Sequence, residues 1–309
     1  MSQMTDHLWG IILAGGEGRR LQPFIRSYLG SERPKQYCAL VGTRSMLRHT
    51  IARAERLIPN TRLLTVVTRQ HVDYAREELH DRSPETVIIQ PLNRDTAPGI
   101  LLPLLHVYRR DPEAVVALLP SDHFVFEEDR FMASIGAAVS FAATHPDLPI
   151  LLGIEPDRPE TQYGWIEVGE VIGQDQGREL HLVKRFWEKP DLHTANSLYL
   201  NGCLWNTMVL IGQARTLLSM FVRLTPRLFS ALHRICSTFG LSQQADALAQ
   251  VYSNLPPINF SQEILAHSSQ RLGVCRVKGI YWNDWGNPEQ VRHDIARFGA
   301  PVFPPAAGG

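Results

Sequence analysis

Apolar and polar positions follow two rhythms through the first half of the chain. Trp9-Gly10-Ile11-Ile12, Leu63-Leu64-Thr65-Val66-Val67, Val87-Ile88-Ile89, Val115-Val116-Ala117-Leu118-Leu119 and Ile150-Leu151-Leu152-Gly153-Ile154 are short, nearly continuous apolar runs with the length of strands. Between them Met46, Leu47, Ile51, Ala54 and Leu57-Ile58 recur at helical spacing. Residues 70–80 read as an exposed helix and residues 131–143 as a buried one. Thr96-Ala97-Pro98 opens a further helix, with Asp95 or Thr96 as its N-cap and Pro98 in the first turn. Pro103 inside that pattern predicts a kink or an early end, because proline removes a backbone donor and crowds the preceding turn. Apolar strands alternating with amphipathic helices predict a parallel sheet covered on both faces.

The second half is less regular. Tyr163-Gly164-Trp165-Ile166-Glu167-Val168 and Leu182-Val183-Lys184-Arg185-Phe186-Trp187 read as a strand pair, with residues 173–177 as an intervening loop. Helical patterns are expected over residues 213–239 and 243–252, then a strand at Leu272-Gly273-Val274-Cys275-Arg276-Val277. From Pro301 the chain is proline, alanine and glycine, and is expected to fray. The 309 residues suit one large α/β domain over residues 1–300 followed by a short tail, 301–309.

Composition narrows the function classes. Lys+Arg and Asp+Glu are 31 each, so there is no basic excess of the kind that general nucleic-acid binding shows. No two of Cys38, Cys203, Cys236 and Cys275 stand at C-x-x-C spacing, which leaves no zinc ribbon or redox pair and predicts free thiols. The N-terminal residues lack a basic stretch followed by an apolar one, and no run approaches the ~20 apolar residues of a membrane helix. No membrane association and a cytoplasmic location are therefore expected.

The chemistry begins at the end of the first strand. Leu13-Ala14-Gly15-Gly16-Glu17-Gly18-Arg19-Arg20-Leu21, followed by Pro34-Lys35-Gln36, is a glycine-rich turn with cations beside it. Glycines let backbone N–H groups approach phosphate oxygens, and Arg20 and Lys35 would supply positive charge, so the turn suits a polyphosphate. It has no Gly-Lys-Ser/Thr ending and Leu21 stands where a dinucleotide fingerprint needs its third glycine, which excludes both common phosphate loops. Ligands of parallel sheets bind beyond the carboxyl ends of the strands. Pro120-Ser121-Asp122-His123 lies at such an end, where Asp122 would hold a metal or a ribose, or simply cap a loop. His123 reads as a packing residue rather than a metal ligand, and no G-x-S-x-G elbow supports a hydrolase triad.

Asp284, within Tyr281-Trp282-Asn283-Asp284-Trp285-Gly286, is an acid among aromatic rings and needs a cation, a metal or donor groups. Asp122 and Asp284 could converge on one Mg²⁺, which takes few carboxylates plus phosphate oxygens; spacing alone leaves this open. Lys189, in Glu188-Lys189-Pro190, would meet a phosphate or lie in a solvated turn. Asn206 would bind a sugar hydroxyl or the backbone, and Trp165 and Trp205 read as core.

Taken together, these segments and Pro91-Leu92-Asn93-Arg94-Asp95-Thr96-Ala97-Pro98 and Pro159-Glu160-Thr161-Gln162-Tyr163-Gly164, in this order, resemble the sugar-phosphate nucleotidyltransferase family, in its mannose-1-phosphate guanylyltransferase branch, over residues 9–291. The resemblance implies a Rossmann-like three-layer α/β (GT-A-like) fold with a mixed, mostly parallel central sheet. It implies transfer of GMP from GTP to a sugar 1-phosphate, with mannose 1-phosphate the expected acceptor and pyrophosphate the leaving product. It places Leu13, Ala14, Gly15, Gly16, Gly18, Arg20 and Ser121 at the nucleotide, Lys35 near the α-phosphate, and Thr96, Ala97 and Pro98 at the base. Gly164, Glu188 and Asn206 would contact the sugar and Lys189 its phosphate, while Asp122 and Asp284 would bind Mg²⁺. Arg20, Lys35, Asp122, Lys189 and Asp284 are the implied catalytic set.

The chain departs from the family pattern in several places. Arg19 stands for the usual Thr, Gln22 for Trp, Thr207-Met208 for Ser-Gly, and Ile258-Asn259-Phe260-Ser261 for Ile-Asp-Tyr-Ala, and the linker over residues 24–33 is long. These changes border the phosphate loop and the sugar pocket, so they bear on substrate identity more than on reaction type. Another sugar 1-phosphate and NTP pair, or a non-catalytic regulatory homologue that binds nucleotide sugar, are the alternatives. A homo-oligomer is compatible with the reading. The sequence has room for the catalytic domain and not for an added cupin-like or full β-helix domain.

Overall fold

The computed structural model describes residues 6–30, 32–175 and 177–299. Its strands are β1 (Leu8–Leu13), β2 (Leu63–Thr68), β3 (Val87–Gln90), β4 (Val115–Pro120), β5 (Phe124–Val125), β6 (Ile150–Ile154), β7 (Gly164–Asp175), β8 (Arg178–Glu188), β9 (Leu204–Gln213), β10 (Gly273–Val277) and β11 (Trp282–Asn283). Its α-helices are α1 (Gln22–Leu29), α2 (Met46–Ala54), α3 (Val72–Glu78), α4 (Thr96–Arg110), α5 (Glu128–Thr144), α6 (Leu192–Leu200), α7 (Ala214–Leu224), α8 (Pro226–His233), α9 (Gln244–Asn254) and α10 (Pro288–Phe298). The frayed tail expected from Pro301 lies outside the described residues.

Nine strands form one sheet in the order β3-β2-β1-β4-β9-β6-β10-β8-β7. The pairs β1–β2, β1–β4, β2–β3 and β6–β10 are parallel, and β9 and β8 run against their neighbours. The sheet is therefore mixed and mostly parallel. Period-two alternation sends Leu8 and Ile12 of β1 into one apolar layer, with α2 and α5, and Trp9 and Ile11 into the other, with α4, α7 and α9. Both faces are buried, which is why these strands read as unbroken apolar runs. A smaller core of Leu21, Phe24, Ile25, Cys38, Leu40, Met46, Trp285 and Val291 ties the segment after the glycine turn to the chain's last loop.

Several expectations are corrected. Apolar pattern alone predicts a parallel sheet, yet β9 is inserted antiparallel between β4 and β6. Its sequence, around Cys203-Leu204-Trp205-Asn206, carries chemistry-bearing polar residues that mask the strand signal. Helix α4 runs unbroken through Pro103 to Arg110, because residues 97–107 are all buried and packing outweighs the local loss at proline. The helical stretch over 213–239 is divided: Gln213 ends β9, and Thr225, at φ −134° and ψ 56°, separates α7 from α8 because it precedes Pro226. Gly173 and Asp175 belong to β7, which pairs with β8 out to Asp175 and Arg178, rather than to a loop. All four cysteines are free.

Candidate active site

The two-stranded ribbon of β5 and β11 brings distant parts of the chain together. Antiparallel pairing sets Trp282 opposite Val125 and Asn283 opposite Phe124. Continued by one position, that register sets Asp284 opposite His123, the residue after Asp122 in the chain. Between the two acids stands Lys35, 5% exposed, at the start of a short 3-10 turn. Its ammonium lies 2.9 Å from Asp122 Oδ2 and donates to the backbone carbonyls of Asp284 and Trp285. One buried cation thus joins the end of β4, the loop after β11 and the segment after the glycine turn.

The electrostatics follow from this contact. Burial pushes the Asp122 carboxyl upward, but the Lys35 ammonium, with His123 and the Lys35 hydrogen bond, outweighs it and holds the group below its ordinary value. Burial is also the largest influence on His123 and lowers it; Asp122 and Asp284 both pull it the other way, so both carboxylates act on one imidazole. His123 packs edge-on against Trp282 at 5.1 Å, as a packing residue does.

The glycine turn is stapled from the same short 3-10 element. Gln36 Nε2 donates to the carbonyls of Ala14 (3.0 Å) and Gly16 (2.8 Å), and Tyr37 Oη donates to Ala14. Gly18 has φ +62°, and a Cβ there would stand 3.2 Å from Lys35 N, so the turn needs glycine on two counts. A Cβ on Gly15 would meet Gln90 Nε2 at 2.5 Å, whereas one on Gly16 would meet nothing within 4 Å. Ala14 is fully buried and its N–H is committed to Val66 O, so it shapes the turn and offers no free donor. Arg20 leans over Gly286, with Nη2 3.6 Å from Asp284 Oδ2.

Beyond the turn lies a cavity of about 480 Å³. Leu13, Gly15, Gly16, Thr96, Ser121 and Asp122 line it, and all six were singled out in the sequence. Ala97 and Pro98 sit in the buried first turn of α4, which Asp95 caps through Thr96 N at 2.6 Å. Sequence reasoning missed Gln90 and Pro257 on the same walls, and gave Asn93, Asp95 and Met208 only as part of a motif, as an N-cap and as a departure from the family pattern. Gln90 is the informative omission. It ends β3, is 3% exposed, and takes a hydrogen bond from Tyr252 Oη. A polar residue closing a strand at a ligand-side edge was the signal available for it.

On the other half of the sheet Gly164, Glu188 and Asn206 come together. A Cβ on Gly164 would lie 3.2 Å from Glu188 Oε2 and 3.4 Å from Asn206 Cβ. Burial raises the Glu188 carboxyl, Lys189 opposes this and Asp95 adds to it, so this pocket adjoins the N-cap of α4. Lys189 Nζ is 3.9 Å from Glu188 Oε1 and half-exposed. Trp165 and Trp205 are core residues.

The loop that carries Asp284 is held from behind by a carboxylate that the sequence did not flag. Asp294, fully buried on α10, accepts hydrogen bonds from Trp285 Nε1 (2.8 Å), Tyr281 Oη, Asn283 Nδ2 and His293 Nδ1. Asn283 Oδ1 in turn accepts from Trp285 N and Tyr163 Oη, and Asp284 Oδ1 from Gly286 N. Oxygen donors of this kind suit a hard divalent cation: the Asp122 carboxylate lines the nucleotide cavity beside the Lys35 ammonium, which also holds the Asp284 backbone carbonyl, while the Asp284 carboxylate faces Arg20.

Known proteins resemble this chain over most of its length. A family model described as nucleotidyl transferase matches residues 9–296. A xanthan biosynthesis protein of Xanthomonas campestris is 31% identical over 92% of this chain and 58% of its own length. A mannose-1-phosphate guanylyltransferase of Escherichia coli K12 is 32% identical over 74% of this chain and 48% of its own. The chain thus spans roughly half the length of these curated relatives. Among solved structures, a Thermus thermophilus protein described as a mannose-1-phosphate geranyltransferase superposes with a TM-score of 0.77 at 27% identity, covering 91% of this chain and 77% of that one.

Proposed function

The chain belongs to the nucleotidyl transferase family, and on that premise we propose that it transfers the nucleoside monophosphate of an NTP to a sugar 1-phosphate, releasing pyrophosphate. GTP and mannose 1-phosphate are the pair we propose, because the relatives named for a substrate carry mannose 1-phosphate and guanylyl transfer in their names. The observation that carries the reading is the convergence of Asp122, Asp284 and Lys35 between the glycine turn and the Glu188–Asn206 pocket.

The chemistry asks for this arrangement. A phosphate oxygen of the sugar 1-phosphate is already a nucleophile, so no general base is needed. The difficulty lies in bringing two anions together and spreading the charge that develops at the α-phosphorus during in-line displacement. The glycine turn and Arg20 would hold the triphosphate, Thr96 and the start of α4 would face the base, and Lys189 would take the acceptor's phosphate. Lys35 would fix Asp122 and the loop carrying Asp284 in one place, and the ammonium would add charge close to the reacting phosphate. Mg²⁺, which Asp122 and Asp284 would hold, supplies charge neutralisation and orientation of phosphate oxygens. Such a reaction belongs in the cytoplasm, where nucleoside triphosphates are abundant, and requires no membrane.

Pyrophosphate release measured across a panel of NTPs and sugar 1-phosphates tests the proposal. Turnover highest with GTP and mannose 1-phosphate is the expected result. Turnover with a different pair would move the substrate assignment and leave the reaction. Tight nucleotide-sugar binding with silence across the panel would replace the enzyme with a binding homologue.

A further inference from the structure

Among the described residues four non-glycine positions adopt positive φ: Asp95 (+67°), Lys189 (+46°), Met208 (+60°) and Trp285 (+47°). Such conformations cost on the order of 1–3 kcal/mol each and persist where the surroundings over-determine them. All four border the site described above. Three have a polar reason to stay. Asp95 caps α4, Lys189 presents its ammonium beside Glu188, and Trp285 turns its carbonyl to Lys35. Met208 is the exception, because its side chain is apolar and yet it lines the cavity with Asp122 and Asp95.

The backbone alone does not account for a methionine here. Met208 N donates to Asn206 Oδ1 at 3.1 Å, which fixes the Asn206 amide and leaves its Nδ2 as the group to meet a ligand. Glycine would make the same backbone bond without the strain. What methionine adds is its thioether, and the structure holds that group in place: Ser261 Oγ lies 3.2 Å from Met208 Sδ. Asn206 belongs to the pocket with Glu188 and Gly164, whereas Pro257 and Asp95 belong to the nucleotide cavity. Met208 therefore stands at the seam between the two.

We propose that Met208 is a specificity-determining residue: its thioether, braced by Ser261, fills the space next to the sugar hydroxyl bound by Asn206 and excludes acceptors with a bulky substituent there. The proposal rests on the transferase reading above and names the acceptor class, a compact hexose 1-phosphate. A methionine side chain and an acetamido group are of comparable size, and a packed pocket discriminates about 10- to 200-fold for a single methylene. A 2-acetamido hexose 1-phosphate is thus the informative competitor.

The test compares kcat/KM for mannose 1-phosphate and for N-acetylglucosamine 1-phosphate in wild type, Met208→Gly and Met208→Leu, with thermal melting of each. Met208→Gly is expected to shift the ratio at least tenfold toward the acetamido sugar while its melting temperature does not fall, since glycine suits φ +60°. Met208→Leu, which retains bulk without the sulfur, is expected to keep the wild-type preference. An unchanged ratio in Met208→Gly would overturn the proposal. A change confined to the preference for GTP over dGTP would also overturn it, by placing the thioether on the ribose. Wild-type protein inactive with every sugar 1-phosphate would instead remove the transferase reading itself, and the two failures are told apart in one experiment.

Discussion

The two halves of the sheet solve the same problem differently. On the β3-β2-β1-β4 side every pairing is parallel, each strand ends at the ligand edge, and the tight turn after β1 is made by glycines stapled by Gln36. On the β9-β6-β10-β8-β7 side the strands are mixed, and Lys189 and Met208 adopt backbone conformations that glycine would take without strain, as Asp95 does after β3 and Trp285 after the β5–β11 ribbon. A polyphosphate is recognised largely through backbone N–H groups, so side chains near it would obstruct. An acceptor is recognised through placed side chains, and strain is the cost of placing them. Lys35 joins the end of β4 to the loop that carries Asp284, and the largest predicted effects fall on it.

Removing that junction is the severest way to break the comparison. Lys35→Ala or Asp122→Ala is expected to lower kcat by on the order of 10²-fold or more, the scale of losing a key electrostatic donor. Steady-state kinetics of the purified variants decide it, and near-normal turnover in both would contradict the mechanism. The support behind the acceptor half comes next. Asp294→Asn keeps the shape but leaves buried donors short of acceptors, so it is expected to cost about 1–3 kcal/mol of stability, read from denaturant unfolding. Lys189→Ala sharpens the division between the halves. It is expected to raise KM for the sugar 1-phosphate about tenfold with little change for the NTP; equal changes in both would blur the division.

Acidification gives the smallest effect. The Asp122 carboxyl is held below its ordinary value of about 4 by Lys35 despite burial. The stability it adds is present above the unfolded value and fades as pH falls through the lower, folded one. The stability difference between wild type and Asp122→Asn is therefore expected to shrink on acidification below that range. With 37% of the side chain exposed, solvent screening keeps the difference small. A difference that does not change with pH would show that the pair does not titrate with folding.

Legibility in the sequence divides along the same line. Strands β1, β2, β4 and β6 were evident because burial on both faces makes them continuous apolar runs, the edge strand β3 was evident as an apolar run although Ile89 is exposed, and the glycine turn was evident because its backbone demands glycine. Strand β9 was not, since Asn206, Thr207 and Met208 interrupt its apolar pattern with residues placed for the site. The departure at Met208 was visible as a letter, but its positive φ and its contact with Ser261 depend on a bulge and a long-range neighbour that no local pattern encodes. Asp294 was invisible for a similar reason: its four donors come from residues 281, 283, 285 and 293, which become one network only when α10 closes over the loop. Asp122 and Asp284 were singled out separately, and the β5–β11 ribbon is what brings their two segments together at His123.

The central claim is that these two carboxylates serve one reacting centre. The most direct measurement is the Mg²⁺ dependence of pyrophosphate release in wild type, Asp122→Asn and Asp284→Asn. A shared cation predicts that both substitutions raise the half-saturating Mg²⁺ concentration by about tenfold or more, the scale of losing one metal ligand or its support. Wild-type Mg²⁺ dependence in either variant would contradict it.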